Sequence, residues 1–195
     1  FLLPLWYSVN DGQWRLVVVK FFSLLLLSIM CVWNRNDYTI SDFLLFFQLS
    51  VAAHAVLVLD YVEFFEKRFF VRRNLSIPVW KIFLSWLLCY FIIALPEILS
   101  MFYFGIGQQP PTSAGVMAII YIGELLLFTA VLYEKGMTKE RYFTYVAAIL
   151  VSMLLIASFK IFLITAVGVL AICFSLFQVQ FYKYEKDVEE KGQEK

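Results

Sequence analysis

The chain has 195 residues, of which 62% are hydrophobic and only 16% are charged, and its formal net charge is +1. A soluble domain has about 45–50% apolar and about 25% charged residues, so this composition is typical of a membrane protein and argues against a soluble one. A net charge so close to zero gives no reason to expect nucleic acid as a partner.

Six hydrophobic segments follow one another along the chain. They cover residues 15–33, 43–62, 79–104, 114–133, 142–159 and 161–182. Each is long enough, the fifth only just, to cross about 30 Å of hydrocarbon at about 1.5 Å per residue of helix. The predicted fold class is therefore all-α: one polytopic transmembrane helix bundle of about six spans over residues 1–182.

Two of these segments carry a further expectation. Pro96 inside the third predicts a tilt or a kink at that point. The fifth and sixth are nearly fused around Lys160, so residues 142–182 could instead form a re-entrant hairpin followed by one span. Because the chain begins with Phe1 rather than Met, we expect it to be part of a longer protein.

The lysines and arginines predict the orientation. With the N-terminus in the cytoplasm, nearly all of them, Lys20 included, lie on or near the cytoplasmic side, and only Arg35 and Lys160 lie outside. The positive-inside rule favours this arrangement, with both termini cytoplasmic, residues 183–195 as a charged cytoplasmic tail and the cell inner (plasma) membrane as the location.

Catalytic and cofactor motifs are missing from the sequence. It has neither a GxxxxGK[ST] phosphate loop nor an HExxH or GxSxG motif, and the cysteines show no metal-binding spacing. Ser50 precedes His54, the only histidine, by one helical turn, a spacing that is common by chance. We therefore predict no catalytic, cofactor-binding or metal-binding residue.

The ionisable residues within the predicted spans that carry most information are His54, Glu97 and Glu124. Burying a charge in a bilayer costs at least about 2.5–3.5 kcal/mol, so such residues face the bundle interior and need partners. They either line a transport pathway or hold helices together, and helix packing is the favoured interpretation. Asp60 is expected to be interfacial and solvated.

Residues 61–81, YVEFFEKRFFVRRNLSIPVWK, combine phenylalanines with many charges. The pattern predicts a short amphipathic cytoplasmic helix, an elbow over residues 63–78, that lies in the membrane interface. The elbow is either an ordinary basic loop that fixes the topology or a rigid element that a partner can push against.

The elbow also carries a family resemblance. FFE at 64–66, RRNLSIP at 72–78, ALPE at 94–97 and the closing FSLFQVQFYKYE resemble the permease subunits of ABC-2 type (type V exporter) ABC transporters. Ser76 stands where that family often has proline. The resemblance implies a permease that contains no catalytic residues, pairs with a second copy or a sister subunit, and binds a cytoplasmic ATPase at the elbow. The residues that it assigns to this coupling are Glu66, Arg68, Arg72, Arg73, Asn74 and Pro78.

Two other functions stay open from the sequence. The chain could be a non-catalytic structural or assembly subunit of a larger membrane complex, built from the same helices but without a pathway. It could also be a membrane-embedded enzyme acting on lipid, which would depend on His54.

Overall fold

The computed structural model describes residues 13–33, 40–68, 77–105, 111–159 and 161–193. Within these ranges the secondary structure consists of helices, so the predicted all-α fold class is confirmed. They are α1 (Gln13–Trp33), α2 (Ile40–Arg68), α3 (Val79–Gly105), α4 (Pro111–Leu132), α5 (Lys139–Ser158) and α6 (Phe162–Gln193).

The helices differ from the predicted segments mainly at two ends. Helix α2 continues to Arg68, and α6 continues through most of the charged tail to Gln193. The segment 142–182 lies in two separate helices of 20 and 32 residues, as in the six-helix prediction. Pro96 lies inside α3, which remains helical to Gly105.

Four of the six helices are long and apolar enough to cross a membrane. These candidate spans are Leu44–Lys67, Val79–Tyr103, Ala114–Leu132 and Phe162–Phe181. Length and composition therefore indicate a membrane protein, because helices of this kind meet the thickness of the hydrocarbon core. That α1 and α5 also cross, which would make six spans, stays a prediction.

Contacts between helices show that they alternate in direction. Two contacts give the relative direction of each helix pair. They are Arg15–Asp60 and Ser23–Ser50 for α1 and α2, Ala55–Tyr142 and Glu63–Lys139 for α2 and α5, and Gly123–Cys173 and Tyr133–Phe181 for α4 and α6. Residue numbers therefore run oppositely in α1 and α2 and in α2 and α5, but together in α4 and α6. Consequently α1 starts and α6 ends at the same end of the bundle, here called the charged end.

The charged end is tied together by side chains of α2. Glu63 forms an ion pair with Lys139 at the start of α5, at 3.0 Å, and lies 3.5 Å from Lys67 one turn further along α2. On the other face of α2, Phe65 packs against Trp86 of α3, with ring centroids 5.4 Å apart. The excess of basic residues predicts that this end faces the cytoplasm.

Helix α4 is the central helix of the bundle. In the apolar stretch that makes α4 a candidate span, 78% of the residues are buried. The share is 22% in the corresponding stretch of α6, whose outer face is apolar and exposed. Helix α4 contacts α2, α3, α5 and α6. Side chains on α4 can therefore meet partners from most of the bundle, and this helix supplies two residues of the site described below.

At Gly123, α4 comes close to α6. A Cβ atom at this position would lie 2.7 Å from Cγ1 of Val169, and the Cys173 thiol donates a hydrogen bond to the Gly123 carbonyl at 3.1 Å. Small residues commonly allow such close helix approach in membrane proteins. Glycine is thus required here by the packing rather than by the backbone conformation.

Gly123→Ala is expected to destabilise the bundle by about 1–3 kcal/mol, because the added methyl group overpacks the α4–α6 contact and β-branched Val169 has few alternative rotamers. Thermal unfolding in detergent, followed by size-exclusion chromatography, measures the effect. Gly168→Ala is the matched control, since a Cβ at Gly168 meets no atom within 4 Å. The double variant Gly123→Ala/Val169→Ala should recover stability, whereas equal unfolding temperatures for the two glycine variants would contradict the tight contact.

Candidate functional site

Six polar side chains from four helices form a closed ring of contacts inside the bundle, here called the polar ring. Its members are Lys20 and Ser23 of α1, Ser50 and His54 of α2, Glu97 of α3 and Tyr121 of α4. All are buried except Lys20, whose side chain is 16% exposed. In hydrocarbon an unsatisfied polar group costs several kcal/mol, so a ring of this kind can persist only if its members satisfy one another.

Lys20 supplies the ammonium group of the polar ring. Its Nζ lies 2.6 Å from Oε2 of Glu97 and 2.9 Å from Nε2 of His54, and it also donates to the backbone carbonyl of Ile93. An ammonium group has three N–H donors, and each of the three has an acceptor here. The charged group is therefore fully hydrogen-bonded although it lies within the bundle.

The contacts of His54 define its tautomer. Nδ1 lies 2.9 Å from the carbonyl oxygen of Ser50, which can only accept, so Nδ1 carries the proton. Nε2 then presents a lone pair to the Lys20 ammonium group. Oε1 of Glu97 lies 3.5 Å from Nε2, too far for a good hydrogen bond, so His54 is a neutral link between Lys20 and Tyr121.

The remaining hydrogen bonds link His54 to Glu97, and they form one directed chain when the Nδ1 proton is shared between the Ser50 carbonyl and the Tyr121 hydroxyl. Nδ1 of His54 lies 3.0 Å from the Tyr121 hydroxyl, which lies 3.2 Å from the hydroxyl of Ser50. Ser50 donates to Ser23 at 3.1 Å, and Ser23 donates to Oε1 of Glu97 at 2.6 Å. Such a chain, with a cation at its donor end and an anion at its acceptor end, polarises each bond favourably.

Glu97 therefore receives a donor on each carboxylate oxygen, one from Lys20 and one from Ser23. The desolvation of a buried ion pair is compensated only when the geometry is good and the remaining hydrogen-bonding groups are satisfied. Both conditions hold here. This arrangement joins α1, α2, α3 and α4, and it supports the helix-packing interpretation of Glu97.

Glu124 has a different environment from Glu97. Its side chain is fully buried, and Oε1 accepts a hydrogen bond from Nε2 of Gln48 at 2.8 Å. Oε2 of Glu124 and Oε1 of Gln48 are also buried, and neither has a hydrogen-bond partner among the described residues. The two intramembrane glutamates therefore do not pair with each other, and within the described part of the chain only Glu97 has a cation beside it.

A second ion pair joins α1 to α2 and lies closer to the charged end. Nη1 of Arg15 lies 2.5 Å from Oδ1 of Asp60, with side-chain exposures of 64% and 14%. The expectation that Asp60 is solvated is therefore wrong: its side chain is mostly buried and its carboxylate is paired with Arg15. The physical reason is that α1 packs against α2 along its length and brings a basic residue to this depth.

The predicted intramembrane residues His54, Glu97 and Glu124 all lie in the bundle interior. Of the predicted coupling residues, Glu66 and Arg68 belong to the last turns of α2, and Pro78 directly precedes α3, where its carbonyl accepts from the Lys81 N–H at 2.9 Å. The other three, Arg72, Arg73 and Asn74, lie outside the described residues.

The elbow also starts differently from the prediction. Residues 63–68 continue α2 instead of beginning a separate interfacial helix. Phe64 and Phe65 are buried, and the ion pair of Glu63 holds this turn against α5. These tertiary contacts stabilise the helix beyond the apolar segment. The local sequence pattern does not reveal them, because the partners lie on other helices.

Lys20 is the functional residue that sequence reasoning missed. Its charge predicts a position on or near the cytoplasmic side, whereas the structure places it against Glu97 in the bundle interior. The available signal was its position among apolar residues, between Val19 and Phe21, with Ser23 one turn later. A lysine within a predicted span normally has a buried partner.

Comparison of the chain with protein-family models, with curated proteins and with solved structures finds no match. Among the described residues, no group of three or more His, Cys, Asp or Glu side chains could hold a metal ion. The described contacts of the site consist of hydrogen bonds, one buried ion pair and one buried carboxyl group with no cation beside it among these residues.

Lys20→Met is expected to lower the free energy of unfolding by about 3–5 kcal/mol, because it leaves the Glu97 carboxylate buried without its counterion. Equilibrium unfolding in mixed micelles with increasing SDS measures the change. Arg15→Met is the matched control on the same helix, since it removes an ion pair with an exposed arginine, which is worth about 0–1 kcal/mol.

The double variant Lys20→Met/Glu97→Gln should be more stable than Lys20→Met alone, because it removes both charges together. If Lys20→Met cost no more than Arg15→Met, the ion pair would not hold the bundle together.

Proposed function

We propose that the chain is a membrane-spanning permease subunit of an ATP-driven transporter in the cell inner (plasma) membrane. In this proposal a separate cytoplasmic ATPase subunit binds the elbow, residues 63–78, and ATP hydrolysis belongs to that partner. The permease works with a second copy of itself or with a sister subunit. The proposal rests on the resemblance to ABC-2 type permeases together with the packing of the helix that leads into the elbow.

The observation that carries the proposal is the anchoring of the end of α2. The helix runs from the apolar bundle into the charged segment without a break as far as Arg68. Phe65 packs on Trp86 of α3, while Glu63 pairs with Lys139 of α5. A force applied to a segment held in this way would reach three helices, as a coupling element requires.

The polar ring supports the same function. Because Lys20 and Glu97 lock α1 to α3, and Ser50 and Tyr121 add α2 and α4, the first four helices would move together rather than singly. Rocking of a rigid group of helices is how many transporters alternate access to a central site. Transport through a rigid unit needs no catalytic residue in this chain.

Loss of the ATPase from the complex is the expected result of Arg72→Glu/Arg73→Glu, since arginine makes planar, bidentate contacts with acidic groups that glutamate would repel. The full-length protein is purified in mild detergent, and its co-purifying proteins are identified by mass spectrometry. Lys191→Glu/Lys195→Glu is the matched control, because it makes the same change of charge in the predicted cytoplasmic tail and should retain the ATPase.

Each possible result of this purification has a definite meaning. Recovery of a P-loop ATPase with the unchanged protein and with the tail variant, but not with the elbow variant, supports coupling through residues 63–78. Both variants must elute as monodisperse protein so that misfolding does not imitate a lost contact. Recovery of other membrane proteins without any ATPase would overturn the permease proposal and favour the structural or assembly subunit instead.

A further inference from the structure

Glu124 and Gln48 form a buried pair in which two of the three side-chain oxygens receive no hydrogen bond from the described residues. Nε2 of Gln48 donates to Oε1 of Glu124 at 2.8 Å, which brings the amide into contact with the carboxyl group. Oε2 of Glu124 and Oε1 of Gln48 are both buried without a partner among the described residues. Buried acceptors of this kind are rare and require a ligand, a water molecule or a proton.

We propose that Glu124 and Gln48 form a proton-binding site at the centre of the bundle, in which the proton resides on Oε2 of Glu124. The neutral carboxylic acid then donates from Oε2 to Oε1 of Gln48. Together with the amide N–H bond to Oε1, this makes two parallel hydrogen bonds between the two groups. One proton thus satisfies both oxygens.

The charges around Glu124 favour a proton over an ionised carboxylate. Among the described residues, the titratable groups that interact with it electrostatically are Tyr121 on its own helix and Cys173 on α6, and neither is a cation. Gln48 on α2 is its only hydrogen-bond partner among the described residues. An isolated carboxylate in a medium of low dielectric constant is far more costly than the neutral acid, so the site retains its proton.

A metal cation fits the same two atoms less well. Hard cations such as Ca²⁺ and Mg²⁺ take about six or more oxygen ligands, including waters, whereas only two unpartnered oxygens are present here. A proton needs one donor position and one acceptor, which the carboxyl and the amide supply. The class of ligand that the pair suits is therefore the proton itself.

Glu97 shows what the ionised alternative requires. Its oxygens are occupied by Lys20 and Ser23, and the cation lies 2.6 Å away. The two buried glutamates thus have separate roles, one as the anion of a structural ion pair and the other as a proton carrier. Release of the proton from Glu124 would require water or a cation to reach α4, which links proton binding to the packing of α2 and α6 around it.

The proposal concerns the bundle alone and does not depend on an ATPase. It is tested by infrared spectroscopy of the full-length protein in lipid at neutral pH, through the C=O stretching band of a protonated carboxylic acid. The band should be present in the unchanged protein and lost in Glu124→Gln, which preserves the shape of the side chain. It should remain in Lys20→Met/Glu97→Gln, which removes the other buried glutamate as part of a neutralised pair.

Labelling with dicyclohexylcarbodiimide, which modifies protonated carboxyl groups within membranes, provides an independent measurement. Mass spectrometry of the labelled protein should find Glu124 modified and Glu97 unmodified, while Lys20→Met should make Glu97 reactive by removing its counterion. Absence of the infrared band from the unchanged protein, or its persistence in Glu124→Gln, would overturn the proposal. Labelling of Glu97 rather than Glu124 would overturn it as well.

Discussion

The cost of burying charged and polar groups is the constraint on which the rest of this structure depends. A charge or hydroxyl that leaves water must find its partners in the protein, because lipid offers none. Lys20 meets this requirement through three acceptors, and Glu97 through donors on both of its oxygens. Since these groups come from different helices, satisfying them also determines which helices are neighbours and at what depth they meet.

The same constraint acts in a second way at Glu124. No cation reaches this side chain among the described residues, so its charge cannot be compensated as that of Glu97 is. Neutralisation by a proton is the remaining way to hold a carboxyl group there. Two glutamates of identical chemistry thus differ in role because one lies beside α1, which carries Lys20, and the other lies between α2 and α6.

The apolar packing of the bundle is arranged around these polar contacts. The close approach of α4 to α6 at Gly123 and the aromatic contact of Phe65 with Trp86 join α6 and the end of α2 to the α1–α4 unit. The outer faces of α1 and α6 remain apolar and exposed, as lipid or a second copy of a permease would require. This rigid interior with a charged end anchored at Glu63 is the physical basis of the proposed coupling.

The sequence by itself determined the fold class and most helix positions, because long apolar runs separated by charged or proline-containing stretches leave few alternatives. It also identified His54, Glu97 and Glu124 as buried polar residues, since charge inside an apolar run is a local signal. Only the tertiary structure decided that Lys20 pairs with Glu97, that Asp60 is covered by Arg15, and that α2 extends to Arg68. These features depend on the depth and rotation at which two helices pack. Lys20 and Glu97 are 77 positions apart, so the local sequence around either residue does not reveal their contact.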